Sequence, residues 1–203
     1  MTFLDLVRRR AMTRAFDPDR EISEADLDQL LEAARRVPSA GFTQAVSWLV
    51  LIEDTDRDDY WRLTRRAPDD DNAWLRGMSA APVLLLVWTS EEAYRQRYTE
   101  PDKGWDHDDD RWSAPYWWVD AGMAVQNVLL AATDRGLGAA FVGVPPDRQT
   151  AVAERFGVPA GMASVGLVAI GHPRQQPHDQ HRRPQRPRRA AAELVHRGRW
   201  GSP

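Results

Sequence analysis

The segment over residues 120–135, DAGMAVQNVLLAATDR, constrains the fold more than any other part of the chain. Its apolar residues fall on nearly every side of a 3.6-residue helix, and Gly136 follows as a natural C′ residue. A helix that is apolar all round must be buried all round. A chain of 203 residues with 42% hydrophobic content supports one domain with a full core. Burial of the helix in an interface between two copies is then the natural solution, so a homodimer is expected. The apolar-rich part, residues 121–132, is too short to span a bilayer and contains Gln126 and Asn127, so no membrane span is expected.

Other elements flank this helix. Thr2 and Asp5 make a capping-box pattern for a first helix over residues 2–10, with Phe3, Leu6 and Val7 on one face. Ser23 and Asp26 repeat that pattern, Ile22 and Leu27 fit a hydrophobic staple, and Pro38 ends the second helix. Apolar runs at 48–52, 82–88, 139–144 and 163–170 predict strands, and helical patterns at 58–66, 72–80 and 147–156 alternate with them. The alternation predicts an α+β architecture, a central mixed β-sheet with some parallel pairing, flanked by helices. Residues 172–189 are rich in Pro, Gln, His and Arg and cannot fold alone, whereas the following stretch regains apolar residues at Leu194, Val195 and Trp200. The expected organisation is a domain over 1–171 and an arm over 172–203 that wraps a partner subunit.

Composition removes several function classes. The net charge of −3 and the lack of a nucleic-acid motif argue against nucleic acid as a partner. Without cysteine there is no disulfide, thiolate zinc site or cysteine nucleophile. Neither HExxH nor GxSxG occurs. His107 sits among Asp106, Asp108, Asp109 and Asp110 in what reads as a solvated acidic loop, so no metal site is expected. The N-terminus lacks a secretory h-region, and a soluble cytoplasmic protein is the expectation. Lys103 is the single lysine, so any one arginine is weak evidence for an anion site.

Four segments carry the candidate chemistry. Arg10 and Arg14, four residues apart after the first helix, could grip the phosphate and a ring oxygen of one elongated ligand, or be two solvated arginines. PSAGFTQ at 38–44 lies at a helix-to-strand junction, where small residues let backbone approach a flat ligand; an ordinary loop is the bland alternative. GLGAAFVGVPP at 136–146 sets backbone amides between a strand and a helix start, and it is not a GxGxxG fingerprint. Arg186, Arg188 and Arg189 are either a second phosphate clamp or a basic tail.

In this order, RxxxRxF, PSxxxxQ before a strand, a DAGxAxxNxLLAA helix, then GLG and a glycine-containing turn, the chain resembles the FMN-dependent nitroreductase family from Arg8 to Trp200. It is most similar to actinobacterial members with PSAGF-like loops and an HRGRW-like ending. The resemblance implies a nitroreductase-like homodimer with the long helix in its interface. It implies FMN as cofactor and NADPH or NADH as electron donor, in ping-pong transfer of hydride to an electron-poor small molecule. Arg10 would contact the FMN phosphate, with Ala11 and Met12 between it and Arg14. A positive charge at Arg14 would stabilise the anionic reduced flavin. Pro38, Ser39, Ala40 and Gln44 would lie along the isoalloxazine of the partner subunit. An amide of Gly143 or Val144 would face flavin N5, and Arg186 and Arg188 would complete the phosphate site. No side-chain acid or base is implied, because the flavin carries the chemistry. The chain departs from the family at Ala11 and Met12, where a basic residue and a serine are common, at Phe42 in place of asparagine, and in the single glycine of Gly143-Val144-Pro145. Two alternatives accompany this reading: a dehydrogenase of a small metabolite that returns electrons to oxygen, and a flavin-holding protein without turnover.

Residues 100–115 are polar, rich in Asp and Trp, and too long for an ordinary connection. They precede the interface helix, at a junction that the resemblance places beside the open face of the flavin, so a lid is expected, with one or more of Trp112, Tyr116 and Trp117 stacking over the ring or substrate. Trp118, next to the helix, is expected to pack.

Overall fold

The computed structural model describes residues 2–67, 71–174 and 187–202. In chain order the elements are α1 (Phe3–Arg9), α2 (Glu24–Arg35), β1 (Ser47–Leu51), α3 (Asp54–Thr64), α4 (Ala73–Ser79), β2 (Val83–Thr89), α5 (Glu91–Tyr98), α6 (Tyr116–Asp134), β3 (Gly138–Val142), α7 (Gln149–Arg155) and β4 (Ala163–Gly171). The caps read from sequence are present. Thr2 and Asp5 close a full capping box on α1, and the Ser23 side chain accepts from the Asp26 amide at the start of α2.

The four strands form one sheet in the order β1-β2-β4-β3. On one face Leu30 and Ala34 of α2 and Val125, Val128, Leu129 and Ala132 of α6 pack with Leu85, Val87, Val168 and Ile170. On the other face Tyr60 and Trp61 of α3, Leu75 and Met78 of α4 and Val152 of α7 pack with Leu84, Leu86, Leu167 and Ala169. Strands covered on both sides are apolar throughout, which is why β2 reads as an unbroken run and is buried at all seven positions.

The pairing differs from the expected mixture. Every paired strand is antiparallel, and parallel pairing among the described residues is confined to an isolated bridge between Met12 and Ala139. Two helices, α3 and α4, join β1 to β2 and return the chain to the end it left. The crossover through α6 does make β2 and β3 parallel, but β4 lies between them.

α6 begins at Tyr116, four residues before the apolar pattern. Its inner side is buried, but Trp118, Val119 and Met123 remain 42%, 44% and 37% exposed. α1 packs on α6 and exposes Phe3, Leu4 and Val7. Within one chain the long helix is therefore only partly covered. No described helix is long and apolar enough to cross a membrane.

Candidate functional site

The segment carrying Arg10, Ala11, Met12 and Arg14 runs along the outer edge of β3. Arg10 is the C-cap of α1 and is half-buried, while Ala11, Met12 and Arg14 are exposed. The amide of Thr13 donates to the Ala139 carbonyl at 3.0 Å. Glycine is required at 138, because an added Cβ would stand 2.6 Å from the Thr13 hydroxyl. Further on, Asp17 N–H donates to His172 O at 2.9 Å and Arg174 N–H to Ala15 O at 3.0 Å. The arm thus leaves the body beside the Arg14 segment. At the far end of β3 lie Gly143 and Val144. Gly143 has open space where a Cβ would stand, and neither N–H makes a turn, loop or cap bond among the described residues. Met12 and Gly143 are about 13 Å apart along the strand, four residues at about 3.3 Å each.

The PSAGFTQ loop lies elsewhere. It precedes β1, and β1 and β3 are opposite edges of the sheet, about 14 Å apart at about 4.8 Å per strand. The loop is held by elements distant in sequence. The buried Asp120, 2% exposed, accepts from Ala40 N–H at 2.8 Å and from the Tyr94 hydroxyl at 2.6 Å through the same oxygen. Arg97 Nε donates to Gly41 O at 2.8 Å and forks onto Asp102. Ser39 Oγ accepts from Gln44 N–H at 3.0 Å. These contacts fix a backbone in which Phe42 and Gln44 adopt φ of 56° and 55°, a region costly for residues other than glycine. Phe42 is 71% exposed at the tip. Burial, and then the bond to Asp120, push the Tyr94 hydroxyl above its ordinary range. Thus one chain brings Arg10, Ala11, Met12, Arg14, Gly143 and Val144 along one edge, and Pro38, Ser39, Ala40 and Gln44 to the other.

The Trp-rich segment folds back on α5, an element the sequence patterns did not disclose. Trp112 is the hub of a ring cluster, with centroids 4.5 Å from Tyr98, 5.0 Å from Trp105, 5.9 Å from Trp117 and 6.4 Å from Tyr116. Trp117 is buried, Trp112 and Tyr116 half-buried, and Tyr116 shares a 2.9 Å hydrogen bond with Ser113. The cluster adjoins the PSAGFTQ loop, since Tyr98 also abuts Gly41. His107 ties the segment to α5 through Glu92 at 2.9 Å and also meets Asp108 at 3.1 Å. These two hydrogen bonds raise its pKa above the ordinary 6.5. No group of residues able to hold a metal ion occurs among the described residues.

Arg186 lies outside the described residues. Arg188 is exposed, and beyond the two bonds that His172 and Arg174 make to the body, the hydrogen bonds of arm residues 187–202 among the described residues are internal to the arm, such as Arg189 Nε to Glu193 at 3.1 Å. Trp200 is 92% exposed. What sequence patterns missed is the anchor, Asp120. Its signal was a carboxylate on the inner side of an apolar helix, which requires donors from elsewhere.

An antiparallel sheet between two helical layers, with arginines in the segment beside its β3 edge, defines an α+β protein outside the Rossmann class. The family follows from comparison: the chain belongs to the nitroreductase family, whose model matches residues 7–172. A protein of Archaeoglobus fulgidus, provisionally named NADH dehydrogenase/NAD(P)H nitroreductase, is 26% identical over 175 residues, 85% of this chain and 86% of that one. An NADPH-flavin oxidoreductase of Vibrio harveyi is 34% identical over 82 residues, 40% of this chain and 32% of that one. A crystal structure from Desulfovibrio desulfuricans, described as a nitroreductase in complex with FMN, has 27% identity and a TM-score of 0.69, covering 95% of this chain and 94% of that one.

Proposed function

We propose that this chain is an FMN-dependent NAD(P)H oxidoreductase acting as a homodimer. The observation that carries the reading is the line along β3: a segment bearing Arg10 and Arg14 beside Ala139, and at the other end the exposed Gly143, where the amides of Gly143 and Val144 make no turn, loop or cap bond among the described residues. A cationic end and a bare backbone end fit an elongated ligand with a phosphate and a flat ring. The FMN-bound relative supports that choice.

In this reading Arg10 and Arg188, with Arg186, bind the phosphate, and Ala11 and Met12 line the path between. Arg14 holds positive charge near the pyrimidine edge, where reduction adds negative charge. Gly143 or Val144 offers an N–H toward N5. Bound FMN supplies two-electron chemistry, exchanging hydride between NADH or NADPH and an electron-poor nitro-aromatic, quinone or enone in ping-pong fashion. No side chain of this chain acts as acid or base.

Pro38, Ser39, Ala40 and Gln44 serve the site of the partner subunit, which explains why they sit at the opposite edge. The exposed apolar residues of α1 and α6 supply the surface that a second copy covers. Leu194, Val195 and Trp200 anchor the arm, residues 172–203, on that copy. Trp112, Tyr116 and Trp117 belong to a lid that excludes water and accepts flat substrates by shape.

The visible spectrum and stopped-flow reduction of the purified protein test this. Flavin absorbance, bleached quickly by NADPH or NADH and restored by a quinone, is the expected result. Absence of flavin refutes the reading, and fast bleaching by a small metabolite alone favours a dehydrogenase.

A further inference from the structure

Helix α5 holds the PSAGFTQ loop by one face. Tyr94, Arg97 and Tyr98 stand three and four residues apart, so they share a side of the helix. The Tyr94 hydroxyl donates to Asp120 Oδ2, and the same oxygen accepts from Ala40 N–H. Arg97 Nε donates to Gly41 O, and Tyr98 fills the space where a Cβ at Gly41 would stand. The two tyrosines also carry the ring cluster. Tyr94 meets Trp112 and Trp117 with centroids 6.5 and 6.2 Å apart, and Tyr98 meets Trp112 at 4.5 Å. Loop and cluster are thus tied through buried Tyr94 and Asp120. The tie is an expensive one, because a carboxylate out of water loses its hydration, and apolar packing would hold a helix against a loop at no such cost. It also restrains Phe42 and Gln44 in left-handed backbone, and strain of this kind collects where a fixed geometry is put to use.

We propose that Tyr94 and Asp120 are positioning residues of the oxidoreductase reaction, which through Ala40 hold the loop and the ring cluster at one spacing and so set the stance of a flat substrate against the flavin. The proposal rests on the reading that the loop lies along a flavin and that the cluster covers the substrate. Both side chains are buried behind these surfaces, so their loss misplaces the substrate and does not release the flavin. Reacting atoms displaced by about 1 Å lose on the order of 100-fold in rate. With the Arg97 and Tyr98 contacts to Gly41 still in place, the loss of one tie should cost about tenfold.

Tyr94→Phe keeps the ring and removes only the hydroxyl. In stopped flow, the saturating rate at which a quinone reoxidises the reduced protein should fall about tenfold, while FMN content and the half-saturating quinone concentration change by less than about twofold. Asp120→Asn, which keeps an oxygen for both donors, should slow the step less. The double variant should be no more than about twofold slower than Tyr94→Phe, because the pair acts as one unit. Asn127→Ala is the control: on the same helix it breaks a 3.2 Å bond to Ala33 O and should lose stability while keeping the parental rate. A parental rate in Tyr94→Phe overturns the proposal. An equal slowing in Asn127→Ala overturns it too, since general loosening would then suffice, as does loss of FMN from Tyr94→Phe. A protein that cannot be loaded with flavin fails the flavin reading instead. The tie is read separately by amide exchange at Gln44, which should quicken in Tyr94→Phe with or without flavin, although that hydroxyl reaches the loop through Asp120. Parental exchange there overturns the proposal.

Discussion

Asp120 offers the sharpest test of how the site is built. Its Oδ2 accepts from Tyr94 and from Ala40, so Asp120→Ala strands a fully buried hydroxyl and a half-buried amide. A buried donor left unpaired costs about 1–3 kcal/mol. The two together should cost about 2–4 kcal/mol, the amide counting at the lower end. Asp120→Asn keeps a carbonyl oxygen in place for both donors and should cost about 1 kcal/mol. Urea unfolding at fixed protein concentration measures both. The loss should also be local. Phe42 and Gln44 hold left-handed backbone that costs on the order of 1 kcal/mol each, and the Ala40 contact restrains it. Amide exchange at Gln44, whose N–H is bonded to Ser39, should therefore quicken more in Asp120→Ala than exchange in β2. The reasoning is refuted if Asp120→Ala lies within about 0.5 kcal/mol of the parent, or if asparagine is as damaging as alanine.

Other outcomes follow from the same geometry. Arg10→Ala should weaken FMN binding by about 1.5–3 kcal/mol in a fluorescence titration, whereas Arg14→Ala should chiefly lower the flavin reduction potential; unchanged values would remove each residue from its role. Deleting everything after Gly171 should cost both dimer and flavin by light scattering and absorbance, and a flavin-loaded monomer of the full chain would contradict the assembly. Alanine at Trp112, Tyr116 or Trp117 should change KM for aromatic acceptors and leave FMN affinity nearly intact; parental kinetics in all three would end the lid proposal. His107 has its pKa raised above 6.5, first by Glu92 and then by Asp108. Its tie to α5 is therefore complete below 6.5 and is lost as pH rises through the folded value. The fluorescence of Trp105 and Trp112 should follow that loss, and His107→Gln should flatten it.

Elements with a local signature were legible in the sequence. Caps at Thr2 and Ser23 depend on residues three apart, and β2 declares itself because both of its faces are covered. α5 did not, because most of its residues are charged or polar and its place depends on one buried tyrosine. The strand pairing also escaped, since alternation of helix and strand reveals the direction of β2 and β3 but not that β4 lies between them. The candidate residues were readable as segments in order, and only the resemblance, which gives Pro38, Ser39, Ala40 and Gln44 to the flavin of the partner subunit, separated them into two groups. The partnership of Ala40 with Asp120, eighty positions away, was not readable either, since neither residue carries a local signature of the other.

The division of the site between β1 and β3 has a genetic consequence. In the proposed two-fold dimer each site takes its phosphate segment from one chain and its PSAGFTQ loop from the other. A chain disabled at Arg10 and a chain disabled at Gln44 are each inactive alone. Co-expressed, they assemble mixed pairs in which one site collects both lesions and its twin collects none. With random pairing about a quarter of all sites are whole again, so two null alleles on separate copies should restore growth wherever the enzyme is needed.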